Sequence, residues 1–346
     1  MYDVENNRQE FTNEDKKFLV PCKIGDKYEI YDVLSYGGFG AILIARNTTL
    51  NNRKVLIKTT LYGSLKANFS RIYDTDRENK INKLRNNLEF ECEKLLEFRR
   101  GGESRMPSIV ELVYDFSPQI YGPHIDKDTK KEFFIENLAN NEPYIVMQYI
   151  EGTTLGEYIS NGIEAILKKR NYNSYLLWER DVLEYIKDIC VLMKNFHSIQ
   201  IDEDDFKYYY IYQDLKPNNI MMTYDKFITL IDFGGLLMVG KEDTTWNSCY
   251  EGYGQPGVGT AGYMPPEMKN NPATLDRRVD IYTIGATMYS LLTGEDLTAL
   301  NSRDGWSKIP IENLEKSGRY TSETIEIIKK ATNLDKFKRY NKIYED

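Results

Sequence analysis

Histidine is nearly absent from this chain: 346 residues contain two, His124 and His197. The four cysteines, Cys22, Cys92, Cys190 and Cys249, are scattered, and none forms a C-x-x-C pair. That leaves almost no material for a structural zinc site, and the scatter suits a reducing cytoplasm, where the protein is expected. A surplus of positive charge is also missing. Lys and Arg number 45 against 53 Asp and Glu, a net charge of −8. This argues against nucleic acid as the main partner, because phosphate binding needs a basic face. No apolar run approaches the roughly 20 residues of a membrane span. The stretch Met1–Lys17 is polar and lacks the apolar core of a signal peptide.

What remains is ordinary globular composition, 41% hydrophobic and 28% charged, long enough for one large domain or two lobes. Residues 1–25 read as a polar extension. From Tyr28 the pattern turns strand-like, with apolar runs at Ala41–Ala45 and Val55–Ile57. Residues 61–82 read as a polar loop, 83–99 as a helix, and 117–141 as a second polar stretch between strands. After Thr153 helical periodicity dominates. Val182, Ile186, Ile189, Met193 and Phe196 mark one long helix, and residues 280–293 mark another. Strands first and helices afterwards suggest a small β-rich lobe, 26–150, and a larger helical lobe, 151–346.

Several clusters carry chemistry. Ser35-Tyr-Gly37-Gly38-Phe39-Gly40 is glycine-rich, and glycines let a backbone approach phosphates closely. Alone it reads equally as a plain turn. A dinucleotide fold would follow such glycines with a helix, whereas an apolar β-branched run follows here, so they sit in a hairpin. Lys58 ends the next strand and by itself is a solvated lysine. The helix at 83–99 changes that reading. At about 100° per residue, Leu84, Leu88, Cys92 and Leu95 form one stripe. Glu91 falls inside it, while Glu89, Glu93 and Glu97 point away. A carboxylate on a core-facing stripe needs a partner, and Lys58 is the natural one.

Further on, Tyr212-Gln-Asp214-Leu-Lys216-Pro-Asn-Asn219 packs a carboxylate, a lysine and an amide between apolar flanks. Asp214 can take or orient a hydroxyl proton, and Lys216 can neutralise a transferring phosphoryl group. Asn219 can offer an amide oxygen to a hard cation. The bland alternative is a polar turn. Asp232-Phe-Gly234 follows an apolar strand, where the carboxylate is placed to hold Mg²⁺.

In this order the motifs resemble the protein kinase superfamily over roughly residues 26–346. Gly259-Thr260-Ala-Gly262-Tyr263-Met-Pro-Pro-Glu267 is similar to the segment that closes an activation loop. Asp280 resembles the start of the helix that anchors the catalytic loop, and Arg339 resembles the arginine that pairs with Glu267. The resemblance implies an α+β bilobal kinase fold, with a β-rich N-lobe holding one main helix, a helical C-lobe and an ATP cleft between. It implies ATP with Mg²⁺, or Mn²⁺ in its place, as cofactors. It implies Asp214, Lys216, Lys58 and Glu91 as the catalytic set and Asn219 and Asp232 as metal ligands. Ser35, Gly37, Gly38, Gly40, Ile42, Leu56, Lys58, Met147, Gln148, Ile150 and Met221 would surround the nucleotide, with Met147 as gatekeeper and the Gln148 and Ile150 backbone on adenine. Leu95, Leu112, Phe233 and Tyr212 would stack as a regulatory column. Lys216 and Thr260 look like the Ser/Thr branch, and the loop closure is most similar to bacterial Ser/Thr kinases. The implied partners are ATP and protein substrates, the chain itself among them by autophosphorylation. A pseudokinase scaffold and a small-molecule phosphotransferase are the alternatives.

The chain also departs from the family pattern. Ser35 replaces the first lid glycine, and Leu56 stands where alanine normally roofs the adenine. Tyr212-Gln213 replaces His-Arg, a non-RD arrangement in which phosphorylation of Thr244, Thr245, Ser248 or Tyr250 is not expected to be required. Insertions occupy 61–82, 117–141 and 201–210. The sequence stops soon after Arg339, where a last helix normally continues.

Overall fold

A computed structural model of the chain describes residues 2–3, 8–13, 16–21, 23–37, 40–60, 75–102, 104–115, 119–125, 132–137, 142–201, 205–240, 254–300 and 308–343. The chain divides into two compact units, Met1–Gly102 with Pro107–Tyr149, and Glu103–Met106 with Ile150–Asp346.

The first unit holds β1 (Tyr2–Asp3), β2 (Arg8–Asn13), β3 (Lys16–Pro21), β4 (Lys23–Ile24), β5 (Tyr28–Gly37), β6 (Gly40–Asn47), β7 (Arg53–Thr59), α1 (Thr75–Arg100), β8 (Ile109–Asp115), β9 (Gln119–Ile125), β10 (Glu132–Asn137) and β11 (Glu142–Gln148). Its main sheet has the order β4-β5-β6-β7-β11-β8. Alternation along these strands sorts side chains onto two faces. One face carries Ile30, Val33, Leu43, Val55, Ile57, Tyr144 and Val146, all buried together. The other carries Ile145 and Met147 of β11 and Leu56 of β7, packed on Leu88 and Cys92 of α1. Lys58 pairs with Ile145 in register and lies two residues from Leu56, which puts it on the α1 face.

Three expectations change here. The segment 1–25, read as a polar extension, contains the three-stranded sheet β1-β2-β3. The helix read as 83–99 begins at Thr75, so 75–82 is not loop. Its first turn is polar, which hid the apolar period, but Asp76 and Glu78 are residues that a helix N-terminus favours. Within 117–141, β9 and β10 pair antiparallel with a bulge between Phe133 and Ile135. Neither run alternates polar with apolar, and Gly122 and Pro123 interrupt the first, so the period-two strand signal is missing.

The second unit holds β12 (Gly152–Thr154), α2 (Leu155–Ile159), α3 (Ile163–Arg170), α4 (Tyr175–His197), β13 (Gln200–Ile201), β14 (Lys207–Ile211), β15 (Ile220–Thr223), β16 (Ile228–Leu230), β17 (Leu237–Gly240), α5 (Pro266–Asn270), α6 (Arg278–Thr293), α7 (Ile311–Ser317) and α8 (Ser322–Ala331). Capping begins several of these helices: Thr154 and Glu157 make a reciprocal capping box on α2, and Ser174 accepts from the N–H of Leu176 on α4. The stretch 201–210, read as an inserted loop, contributes β14, which joins β13 to β17. Its aromatic run Tyr208-Tyr209-Tyr210 suits a pleated strand.

Helix α6 is buried on every side. Its polar residues are therefore aimed at partners. The Thr287 hydroxyl donates to the Leu215 carbonyl at 3.2 Å, and Ser290 meets the Tyr263 hydroxyl at 3.0 Å. From α4, the Trp178 indole N–H donates to the Leu291 carbonyl at 2.9 Å. Gly285 lets α8 approach, since a Cβ there would lie 2.8 Å from Ala331 Cβ.

At the end of the described chain, the Arg339 guanidinium is buried and grips Glu267 with two parallel bonds of 2.5 and 3.0 Å. It also donates to the Asn333 and Arg278 carbonyls. Such a fork cannot be replaced by an ammonium. Arg339→Met, which removes the charge and leaves Glu267 unpaired, is expected to lower unfolding free energy by about 3–5 kcal/mol, the usual effect of breaking a buried ion pair. Chemical denaturation measures this, and a loss within experimental error of zero would contradict the assignment.

Candidate active site

In the first unit the site group is an ion pair. Lys58 Nζ donates to both Glu91 carboxylate oxygens at 2.7 Å, and the two side chains are 9% and 4% exposed. The sheet supplies the lysine and the mid-section of α1 supplies the glutamate. Glu91 is buried among Leu88, Cys92 and Leu95, whereas the Glu93 side chain is 69% exposed. Burial, followed by the neighbouring Glu91, Glu89 and Glu93 carboxylates, pushes the Cys92 thiol up to about 11, which keeps it protonated and unreactive. Ser35 and Ile42 face each other across the β5–β6 hairpin, and Gly37 pairs with Gly40. Gly38 lies outside the described residues. Leu56 is half-buried against the cluster that includes Met147. Gln148 is exposed, and its N–H already donates to the Ser108 carbonyl at 2.8 Å.

The second unit brings together Asp214, Lys216, Asn219 and Thr260, which the sequence marked only as a sign of the Ser/Thr branch. The Thr260 hydroxyl donates to Asp214 Oδ1 at 2.7 Å and accepts from Lys216 Nζ at 2.5 Å. Lys216 Nζ also reaches Asp214 Oδ2 at 3.2 Å. The Asn219 amide donates to the Asp214 carbonyl at 2.8 Å and to Oδ2 at 3.2 Å. Burial raises the Asp214 pKa above the ordinary carboxylate value. Lys216 and the Thr260 bond work against that shift, and the nearby Asp232 charge adds to it. A carboxylate so placed is a better proton acceptor than one in water.

Three aromatic residues pack together beside this loop. Tyr212 packs edge-on against Phe233 with ring centroids 5.5 Å apart, and Phe196 of α4 stacks on Tyr212 at 6.3 Å. The Tyr212 hydroxyl donates to the Asp232 carbonyl. The Asp232 carboxylate accepts the Gly234 N–H at 3.1 Å. Met221 of β15 is half-buried and pairs with Thr154.

Among the described residues no group of three or more His, Cys, Asp or Glu side chains could hold a metal by itself. The donor set present is the Asp232 carboxylate and the Asn219 amide. Because both Asn219 N–H groups are committed to Asp214, its oxygen is turned the other way. Two hard oxygens with the rest of the shell left to phosphate and water suit Mg²⁺, so the residues fit that cation.

The Protein kinase domain model matches residues 28–343, and the chain belongs to that family. Among its relatives are the serine/threonine-protein kinases PknB of Mycobacterium leprae and Mycolicibacterium smegmatis. They are 25% and 26% identical over 80% of this chain and 34% of theirs. The probable serine/threonine-protein kinase SCO3848 of Streptomyces coelicolor is 28% identical over 79% of this chain and 31% of its own. The chain thus spans about a third of the length of these relatives. Among the described residues no helix is long and apolar enough to cross a membrane.

The Lys58–Glu91 pair can be tested without any ligand. Removing one partner leaves an uncompensated buried charge, a loss of about 3–5 kcal/mol. Lys58→Met and Glu91→Leu are each expected to destabilise by that order, and the double variant to recover most of it. Denaturation of all four proteins closes the cycle. Additive losses would mean that the two charges do not depend on each other.

Proposed function

We propose that this chain is an ATP-dependent Ser/Thr protein kinase of the non-RD kind, using Mg²⁺ or Mn²⁺. The observation that carries the reading is the compact set of Asp214, Lys216, Thr260 and Asn219, with Asp232 close enough to raise the Asp214 pKa. The named relatives and the Lys216–Thr260 contact support the Ser/Thr class.

In this reading Asp214 orients the substrate hydroxyl and takes its proton as the oxygen bonds the γ-phosphorus. The bond from that phosphorus to the β-phosphate oxygen breaks, and ADP leaves. Lys216 neutralises charge on the transferring group, and Thr260 fixes Lys216 and Asp214 relative to each other. Lys58, held by Glu91, faces the α- and β-phosphates. Asn219 and Asp232 hold the cation, which when bound adds positive charge beside the phosphate oxygens. Ser35, Gly37, Gly38, Gly40, Ile42, Leu56, Met147, Ile150 and Met221 are the residues that the family resemblance implies for nucleotide binding. Gln148 contributes through its carbonyl, because its N–H is engaged by Ser108. Neither the scaffold nor the small-molecule alternative gains an observation of its own. The intact Lys58–Glu91 pair weighs against the first, and the Gly259–Glu267 platform against the second.

Asp214→Asn and Asp232→Asn, assayed with labelled ATP and a generic basic protein, are each expected to lose about 10²–10⁴-fold in transfer. Asp214→Asn should retain Mg²⁺-dependent nucleotide binding, whereas Asp232→Asn should weaken it. Near-native turnover in Asp232→Asn would refute the metal assignment.

A further inference from the structure

The residue before Asp214 has an unusual backbone. Gln213 has φ 67°, and the N–H of Asp214 bonds the Tyr212 carbonyl at 2.9 Å, closing a turn around it. A residue other than glycine held in this region is strained, and persists only where its surroundings over-determine it. The backbone N–H of Gln213 donates to Asp280 at 2.8 Å. Its side chain, 1% exposed with the rest of the residue, supplies the remaining restraint.

That carboxamide is used three times. The NH₂ group donates to the Gly235 carbonyl at 2.6 Å and to the Gln255 carbonyl at 3.0 Å, and the oxygen accepts the Gly257 N–H at 2.9 Å. Gly235 directly follows Asp232-Phe-Gly234. Gln255 and Gly257 shortly precede Thr260. One neutral side chain therefore ties both ends of the 235–257 segment to the loop that carries Asp214. Glycines make the convergence sterically feasible. A Cβ at Gly235 would lie 2.8 Å from the Tyr212 carbonyl oxygen. Gly254 and Gly257 have φ of 98° and 77°, and added Cβ atoms would meet the Leu236 and Met268 carbonyl oxygens at 2.2 and 2.6 Å. The described ends of the segment thus present two carbonyls and one N–H to a single amide, a donor–acceptor pattern that neither arginine nor glutamate matches.

We infer that the Gln213 carboxamide is a positioning residue for phosphoryl transfer: it fixes both ends of the 235–257 segment, and with them Thr260, relative to Asp214, without a phosphate group. The inference rests on the kinase reading. A charged clamp would need an anion to complete it, whereas this amide has its partners within the fold.

The test uses the full chain, treated with phosphatase and shown by mass to be unmodified, with Gln213→Met as a neutral variant of similar length and Gln213→Glu as an isostere lacking the donors. Unmodified wild-type protein is expected to transfer phosphate at its full initial rate, without a lag. Gln213→Met should lose at least about tenfold in kcat, while KM for ATP changes less than about twofold, because nucleotide enclosure does not pass through the amide. Gln213→Glu should lose more, since its carboxylate would face two carbonyl oxygens. If Gln213→Glu fails to fold, amide hydrogen exchange in Gln213→Met decides: the Gly257 N–H should be protected in the wild type and exchange faster in the variant. Native kcat in folded Gln213→Met, unchanged Gly257 protection, or a lag in the unmodified wild type would each overturn the inference. Asp214→Asn serves as the inactive control. If wild-type and control rates were alike, the kinase reading would fail instead, and the Gly257 exchange result would still judge the amide's structural part.

Discussion

One buried carboxylate holds the loop before Asp214 in place. Asp280, at the start of α6, is fully buried. It accepts the backbone N–H of Tyr212 at 2.9 Å and of Gln213 at 2.8 Å, and meets His197 Nε2 at 2.8 Å. A lone carboxylate in that environment would be costly. Three donors offset the burial, and in doing so they determine where the chain before Asp214 must run. Nε2 of His197 meets the carboxylate while Nδ1 has no hydrogen-bond partner among the described residues, an arrangement that fits the tautomer with its proton on Nε2. With its N–H groups held this way, the backbone can support positive φ at Gln213, and the turn delivers Asp214 to Lys216, Asn219 and Thr260. The polar side chains of α6 extend the same logic, because Thr287 braces Leu215 from two turns further along.

The first unit solves a different problem, placing a charge on a hydrophobic face. The β7 strand alternates, so Val55 and Ile57 enter one core while Leu56 and Lys58 face α1. Glu91 on α1 then makes Lys58 tolerable, and Lys58 does the same for Glu91. Neither charge would be stable there alone, which makes the pair sensitive to any shift of the helix along the sheet.

Much of this was legible in the sequence because each feature has a local signature. The stripe on α1 singled out Glu91, and the interval from Asp214 to Asn219 marked the cluster that the fold brings together around Asp214. The long apolar periods gave α4 and α6. Other features have no local signature. β9 and β10 lack a period-two alternation, with Gly122 and Pro123 inside the first, and they pair with each other. The first turns of α1 lack apolar residues, although their acidic content could have indicated a helix start. The bonds of Gln213 join residues 213, 235, 255 and 257, and no spacing rule reports such a meeting. Gly235, Gly254 and Gly257 were the only hint, and glycines have too many uses to reveal this one in advance. Thr260 was visible as a class marker, but its contact with both Asp214 and Lys216 required the fold.

The central claim is that the Asp280 carboxylate sets the conformation of the loop before Asp214. Amide hydrogen exchange at Tyr212 and Gln213 in Asp280→Asn measures this most directly. The account expects strong protection of both N–H groups in the native protein. In the variant that protection should fall markedly, while the amides of α6 stay protected. Unchanged exchange at Tyr212 and Gln213, in a variant otherwise folded, would show that other contacts hold the loop and would contradict the account.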